Sequence, residues 1–276
     1  TQGYSSAASD VYKRQGLNIL INMFFNVAVN AAKGIASQVG TVVNGFAQNF
    51  QMAINPQITK RYAAGDVVSM MKLVFYGCKY SVFLMLIIVL PLIMASDHIL
   101  HLWLGDVAEY TTGFLQLTLV VALIDSIVNP ITTALQATGK IKRFQIIISI
   151  IMISNIPLAW LWLTFDLNPY IVIFVAGITS VVAVAIRLML LHELVPYSYK
   201  AYIIQVGLPI LITVPIAALI SWGIYKVYSP TFLGLLCYGV TSVLTSASVI
   251  YLLGLNLTEK KTVNSAIATS VSKIFK

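Results

Sequence analysis

Carboxamide side chains crowd one stretch of this chain. From Val43 to Asp66 it reads VNGFAQNFQMAINPQITKRYAAGD, with Asn44, Gln48, Asn49, Gln51, Asn55 and Gln57 ahead of Lys60-Arg61. On a helix turning about 100° per residue, residues 36–58 gather Gln38, Thr41, Asn44, Gly45, Gln48, Gln51 and Asn55 on one side. Val39, Val42, Val43, Phe46, Phe50, Ala53 and Ile54 gather on the other. Upstream, Asn18, Asn22, Asn26 and Asn30 recur at a spacing of four and would line one face of a preceding helix. A carboxamide donates and accepts hydrogen bonds at once, which suits water or hydroxyl-rich solutes. Facing lipid, it would lose those bonds at a high cost. Three readings of the stripe stand: a wall of a hydrated path, hydrogen-bond glue between helices, or a helix lying flat at an interface. Its run along the full helix length favours the first, with Asn22, Asn26, Gln38, Asn44, Gln48, Gln51 and Asn55 as the candidate cavity residues.

Charged residues inside apolar runs form the second set. Asp125, in LIDSIVNPITTALQATG, is the carboxylate nearest the middle of such a run. Buried acids of this kind commonly serve ion binding or pair with a neighbour, and Pro130 nearby loosens the same helix. Lys79 and Arg187 also fall within apolar runs. Their stems could snorkel to a headgroup layer, or their charges could meet an anionic solute. Lys79 is the better candidate for the second role, because it follows Lys72 at a spacing of seven on a similar face.

The elements that must hold these residues are apolar. Hydrophobic residues make up 59% of the chain, charged residues 9%, and the mean hydropathy is +0.89; soluble domains carry roughly 25% charged residues. The apolar residues come in long runs approaching the ~20 residues that a helix needs to span a bilayer. Backbone groups in lipid must be paired within the segment, so the runs are expected to be helices. Alternating strands of the membrane-barrel kind are absent from the pattern. The expectation is an all-α, polytopic membrane protein of about eight transmembrane helices, near 16–32, 36–58, 74–95, 111–137, 142–164, 169–192, 203–227 and 231–254. DHILHLWLG, residues 97–105, reads as a short interfacial helix.

The net charge of +8 is dispersed. Lys60, Arg61 and Lys72 follow the second segment, Lys140, Lys142 and Arg143 the fourth, Lys200 the sixth, and Lys260, Lys261, Lys273 and Lys276 lie in the tail. The intervening loops carry Asp97, Asp106, Glu109 and Asp166, with Lys33 and Lys226 as exceptions. This alternation predicts a cytoplasmic C-terminus and removes nucleic acid as a partner, because no single basic patch forms. Cys78 and Cys237 read as small hydrophobes, and His98, His101 and His192 lack metal-ligand spacing. No nucleophile–base set or phosphate loop of the GxxxxGK[ST] form occurs, so no catalytic residue, metal or cofactor is expected. The leader TQGYSSAASDVYKRQ, residues 1–15, matches nothing that follows and reads as foreign or as the ragged start of a truncated frame.

NVAVNAAKGIASQV, NFQMAINPQITKRYAAGD, WLGDVAEYT and ALQATGKIKRFQ resemble bacterial polysaccharide flippases of the O-antigen type, in the superfamily that also holds the MATE multidrug exporters. The resemblance covers most of 16–195; the last two segments match only in hydropathy. It implies a MATE-like second six-helix lobe at 16–195 with an incomplete first helix, two additional helices at 196–256, a basic cytoplasmic tail at 257–276, and a first lobe missing from this chain. It further implies a multi-pass protein of the bacterial inner membrane that moves undecaprenyl-diphosphate-linked oligosaccharide between leaflets by alternating access for surface polysaccharide and lipopolysaccharide synthesis. Lys79 and Arg187 are then candidates for the diphosphate, and Asp125 for proton or sodium coupling. The partners implied are the lipid-linked oligosaccharide, membrane lipids and the missing N-terminal lobe. A drug/cation antiporter should bury more carboxylates than Asp125, and an integral-membrane enzyme of glycan assembly should carry a large periplasmic loop; both remain as alternatives.

Overall fold

The computed structural model describes residues 15–228 and 231–274, with side chains described to residue 265.

 

Of the leader expected at 1–15, residues 1–14 lie outside these residues. Among the described residues every regular element is helical. Helix α1 covers 15–24. Helix α2 (Val27–Ala63) follows, and its first turn is capped by Asn26, whose Oδ1 accepts from the Val29 amide at 3.0 Å. A tight turn leads on to α3 (Val67–Met94). Gly65 supplies the left-handed conformation there (φ 75°), and Asp66 accepts from the Ser69 amide at 3.1 Å. A short helix α4 (Ser96–Leu104) stands where the interfacial helix is expected, with Trp103 exposed.

The next two spans are each broken. Helices α5 (Thr111–Asp125) and α6 (Val128–Ala137) form one, and α7 (Ile141–Ile153) and α8 (Asn155–Leu163) the other. Pro130 and Pro157 lie just beyond the two breaks. Each ring removes an N–H and crowds the carbonyl four residues back. Helix α9 (Ile171–Leu194) is unbroken. After α10 (Tyr199–Tyr202), a π-helical turn at Ile203–Gly207 leads into α11 (Leu208–Tyr225), placing the wider turn beside Pro209. Helix α12 (Phe232–Val249) ends in a second π-turn, Ile250–Gly254, before α13 (Leu257–Ile274).

Among the described residues, six spans are long and apolar enough to cross a membrane, beginning with Val67–Met94 and ending with Phe232–Gly254. The chain is therefore a multi-pass, all-α membrane protein. The expected pair of segments at 16–32 and 36–58 is replaced by the short α1 and a single α2 of 37 residues. At 1.5 Å per residue α2 is about 55 Å long, beyond the hydrocarbon thickness, but its amides keep it out of the apolar set. Lys33-Gly34, read as the loop, lies within the helix, because the Lys33 ammonium donates to Asn18 at 2.6 Å and is buried against α1. The Asn18-to-Asn30 row is accordingly not one helix face: α1 ends at 24, and Asn26 serves as a cap.

Helix α2 packs on α3, α5 and α6, α9 on α5 to α8, and α11 and α12 on each other and on α3. The packing separates into two main apolar cores stacked along the helices. One includes Val43, Met85, Leu119, Leu163 and Val172; the other includes Ile58, Val74, Ile131, Ile148 and Leu191. Between them, buried polar groups form a layer: Gln51 on α2, Ser81 on α3, Ser126 at the α5–α6 break, Asn155 at the α7–α8 break, and Thr179 and Ser180 on α9. Both broken spans break in this layer.

The apolar side of α2 is divided between exposed and buried positions. Val42 and Phe46 are exposed, but Val43 is buried in the first core and Val39 packs against it. The buried stripe is built of Ala32, Ala36, Gly40, Val43 and Ala47, small residues that let neighbouring helices approach. Close approach also governs the midregion, where a Cβ on Gly77 would lie 3.1 Å from the Pro130 ring. Gly77→Val is expected to force α3 from α6 and to lower stability by about 1–3 kcal/mol, read as a lower unfolding temperature in detergent.

Candidate functional site

The polar layer opens into a cleft of about 510 Å³ between α2, the α5–α6 break, α7 and α9. Thr41, Asn44, Gln48 and Gln51 line it from α2, one helical turn apart in succession. Asp125, Ser126, Asn129 and Thr132 line it from the broken span. Ser180 and Arg187 complete it from α9, and Met152 from α7. Asp125 is the last residue of α5, so the break positions its carboxylate. Arg187 is 6% exposed, and it lines the same cleft. One acid, one base and a row of carboxamides and hydroxyls therefore share a single space.

Of the residues singled out in the sequence, the cleft brings together Asn44, Gln48, Gln51, Asp125 and Arg187. Asn22 and Gln38 are exposed outside its lining, and Asn26 is spent on its cap. Asn55 lies below it, its Nδ2 3.5 Å from the Asn129 Oδ1. Ser126, Asn129 and Thr132 were not singled out, yet they recur at a spacing of three within an apolar run, which puts them on one helix face. Ser180 gives no such signal.

The carboxamides of α2 divide between two tasks. Gln51 is only 2% exposed. Its Nε2 donates to the Ser81 hydroxyl and to the Ser126 carbonyl, both at 2.8 Å, and its Oε1 accepts from the Asn129 amide at 2.8 Å. It joins three spans. Gln48 is exposed and Asn44 half-buried, so their polar ends remain accessible in the cleft. A second buried contact, Thr179 Oγ1 donating to Asn155 Oδ1 at 2.8 Å, ties α9 to the α7–α8 break.

Lys79 is not in the cleft. It lies about 18 Å along α3 from the helix start, and its ammonium is 2.6 Å and 2.7 Å from the two carboxylate oxygens of Glu259. The two side chains are 1% and 4% exposed. Glu259 also accepts from the Asn256 amide at 2.7 Å, so one carboxylate both caps α13 and neutralises a buried cation. Glu259 was missed because 257–276 reads as a basic tail. The signal was Asn256-Leu257-Thr258-Glu259, a capping-box spacing.

A polytopic helical bundle with a polar cleft across the middle of its spans has the architecture of a membrane transporter. Residues 17–161, just over half of the chain, match the MatE family model. The chain belongs to the MatE family, whose members are membrane transporters rather than enzymes. No curated protein and no solved structure matches it.

The buried pair gives a direct test. Lys79→Met or Glu259→Gln alone is expected to destabilise the protein by about 3–5 kcal/mol, because each strands a buried partner. The double substitution Lys79→Met/Glu259→Gln should recover most of that loss. Thermal unfolding of the purified protein in detergent measures both.

Proposed function

We propose that this chain is one lobe of a transporter for undecaprenyl-diphosphate-linked oligosaccharide in the bacterial inner membrane. A second lobe of the full-length protein faces the cleft, and the basic loops and C-terminus lie in the cytoplasm. The observation that carries the reading is the company kept in the cleft: Asn44, Gln48 and Asn129 beside Arg187 and Asp125. Carboxamides and hydroxyls match the donors and acceptors of a glycan. A guanidinium binds a diphosphate through paired, charge-assisted hydrogen bonds. With Lys79 held by Glu259, Arg187 becomes the diphosphate contact in this lobe. Asp125, at the end of a broken helix, is the group placed to couple a proton or sodium ion to the rocking of the lobes.

Asp125 in the cleft is also the feature that favours the second reading, drug/cation antiport, since an acid there would meet an organic cation directly. Translocation of a fluorescent lipid-linked oligosaccharide by the full-length protein in proteoliposomes separates the two. Arg187→Gln is expected to slow glycan translocation at least about tenfold, the loss of one charge-assisted contact, and Asp125→Asn to abolish it. Organic-cation efflux without glycan translocation would establish antiport instead. Unchanged glycan translocation in both variants would remove Arg187 and Asp125 from the mechanism.

A further inference from the structure

Pro130 lacks an amide hydrogen, so the carbonyl four residues back, that of Ser126, loses the donor a helix would supply. Ser126 is 4% exposed and lies between the two apolar cores, where an unmet carbonyl is costly. The structure shows what meets it: the Gln51 Nε2 at 2.8 Å, reaching across from α2. The same nitrogen donates to Ser81, and the other end of the carboxamide accepts from Asn129, the residue next to the proline. Gln51 thus uses both polar ends to hold the break from two sides.

We propose that Gln51 is a positioning residue: it stands in for the hydrogen-bond donor that Pro130 lacks and fixes the α5–α6 break, and with it Asp125 and Asn129, at the wall of the cleft. Its carboxamide is engaged by protein groups and does not contact the solute. Gly77 completes the arrangement by admitting the Pro130 ring against α3, so three helices meet at the break. The break is a bend with a removable pin: when Gln51 withdraws, the Ser126 carbonyl is freed and α6 can swing relative to α5. This holds whatever the cleft carries.

The substitution that restores the missing donor provides the test. Spin labels at the exposed positions Val120 on α5 and Gln136 on α6, in a Cys237→Ser background, report the angle across the break. Gln51→Met should shift the bent-state population by about tenfold, the equivalent of one net hydrogen bond, and broaden the distance distribution. Adding Pro130→Ala to Gln51→Met should narrow it again, because residue 130 then donates to Ser126. Pro91→Ala in the same background should not. If Gln51→Met does not fold, Pro130→Ala must recover folding where Pro91→Ala fails. A Gln51→Met distribution as narrow as the parent's overturns the proposal. So does a Pro130→Ala combination without recovery, or equal recovery by Pro91→Ala.

Discussion

A carbonyl without a donor cannot be left in the middle of a membrane protein, and the arrangement of this bundle turns on how that demand is met. Proline accompanies the breaks in two of the spans, and each break releases backbone polarity where water is scarce. The answer at the α5–α6 break is a side-chain amide from another helix. Answering it there has a second effect. Polar partners must be collected at one level of the bundle, so the apolar packing divides above and below them. The cleft occupies the level at which close packing is already interrupted.

That division also gives the proposed movement a place to occur. Within each apolar core, side chains interlock and resist shear. At the polar layer the contacts are a small number of hydrogen bonds, which can be exchanged for others or for water. Helices that break in this layer can bend there while the cores on either side stay intact. A transporter needs rigid bodies joined at compliant points, and the layer supplies the compliance without exposing backbone to lipid.

The helical class and the membrane setting were legible in the sequence because the signals are long: whole runs of apolar residues leave few alternatives. The α2 stripe was legible for a similar reason, since carboxamides in so apolar a chain must face something other than lipid. What could not be read was which carboxamides would be consumed by the fold. Gln48 and Gln51 lie one turn apart and are the same residue type, yet one faces open space and the other bridges three spans. That difference is set by Ser81, Ser126 and Asn129 on distant segments. The start of α2 failed on an opposite ground: a lysine and a glycine look like a loop, until Asn18 offers the lysine a partner within the bundle.

Lys79 and Arg187 show how the same tertiary logic sorts charge. Both are buried cations in apolar helices, and the sequence favours Lys79 for the anionic solute. Helix α13 brings Glu259 onto Lys79 and matches the ammonium with two carboxylate oxygens. A cation so neutralised within the fold can offer little to a solute, because breaking the pair would strand a carboxylate in a dry site. Arg187 lines the cleft instead, which is why the proposed diphosphate contact falls to it. The acid that neutralises Lys79 comes from a segment that looks like a solvated tail, so the pairing of a cation buried in an apolar helix is decided by the part of the chain with the least apolar character.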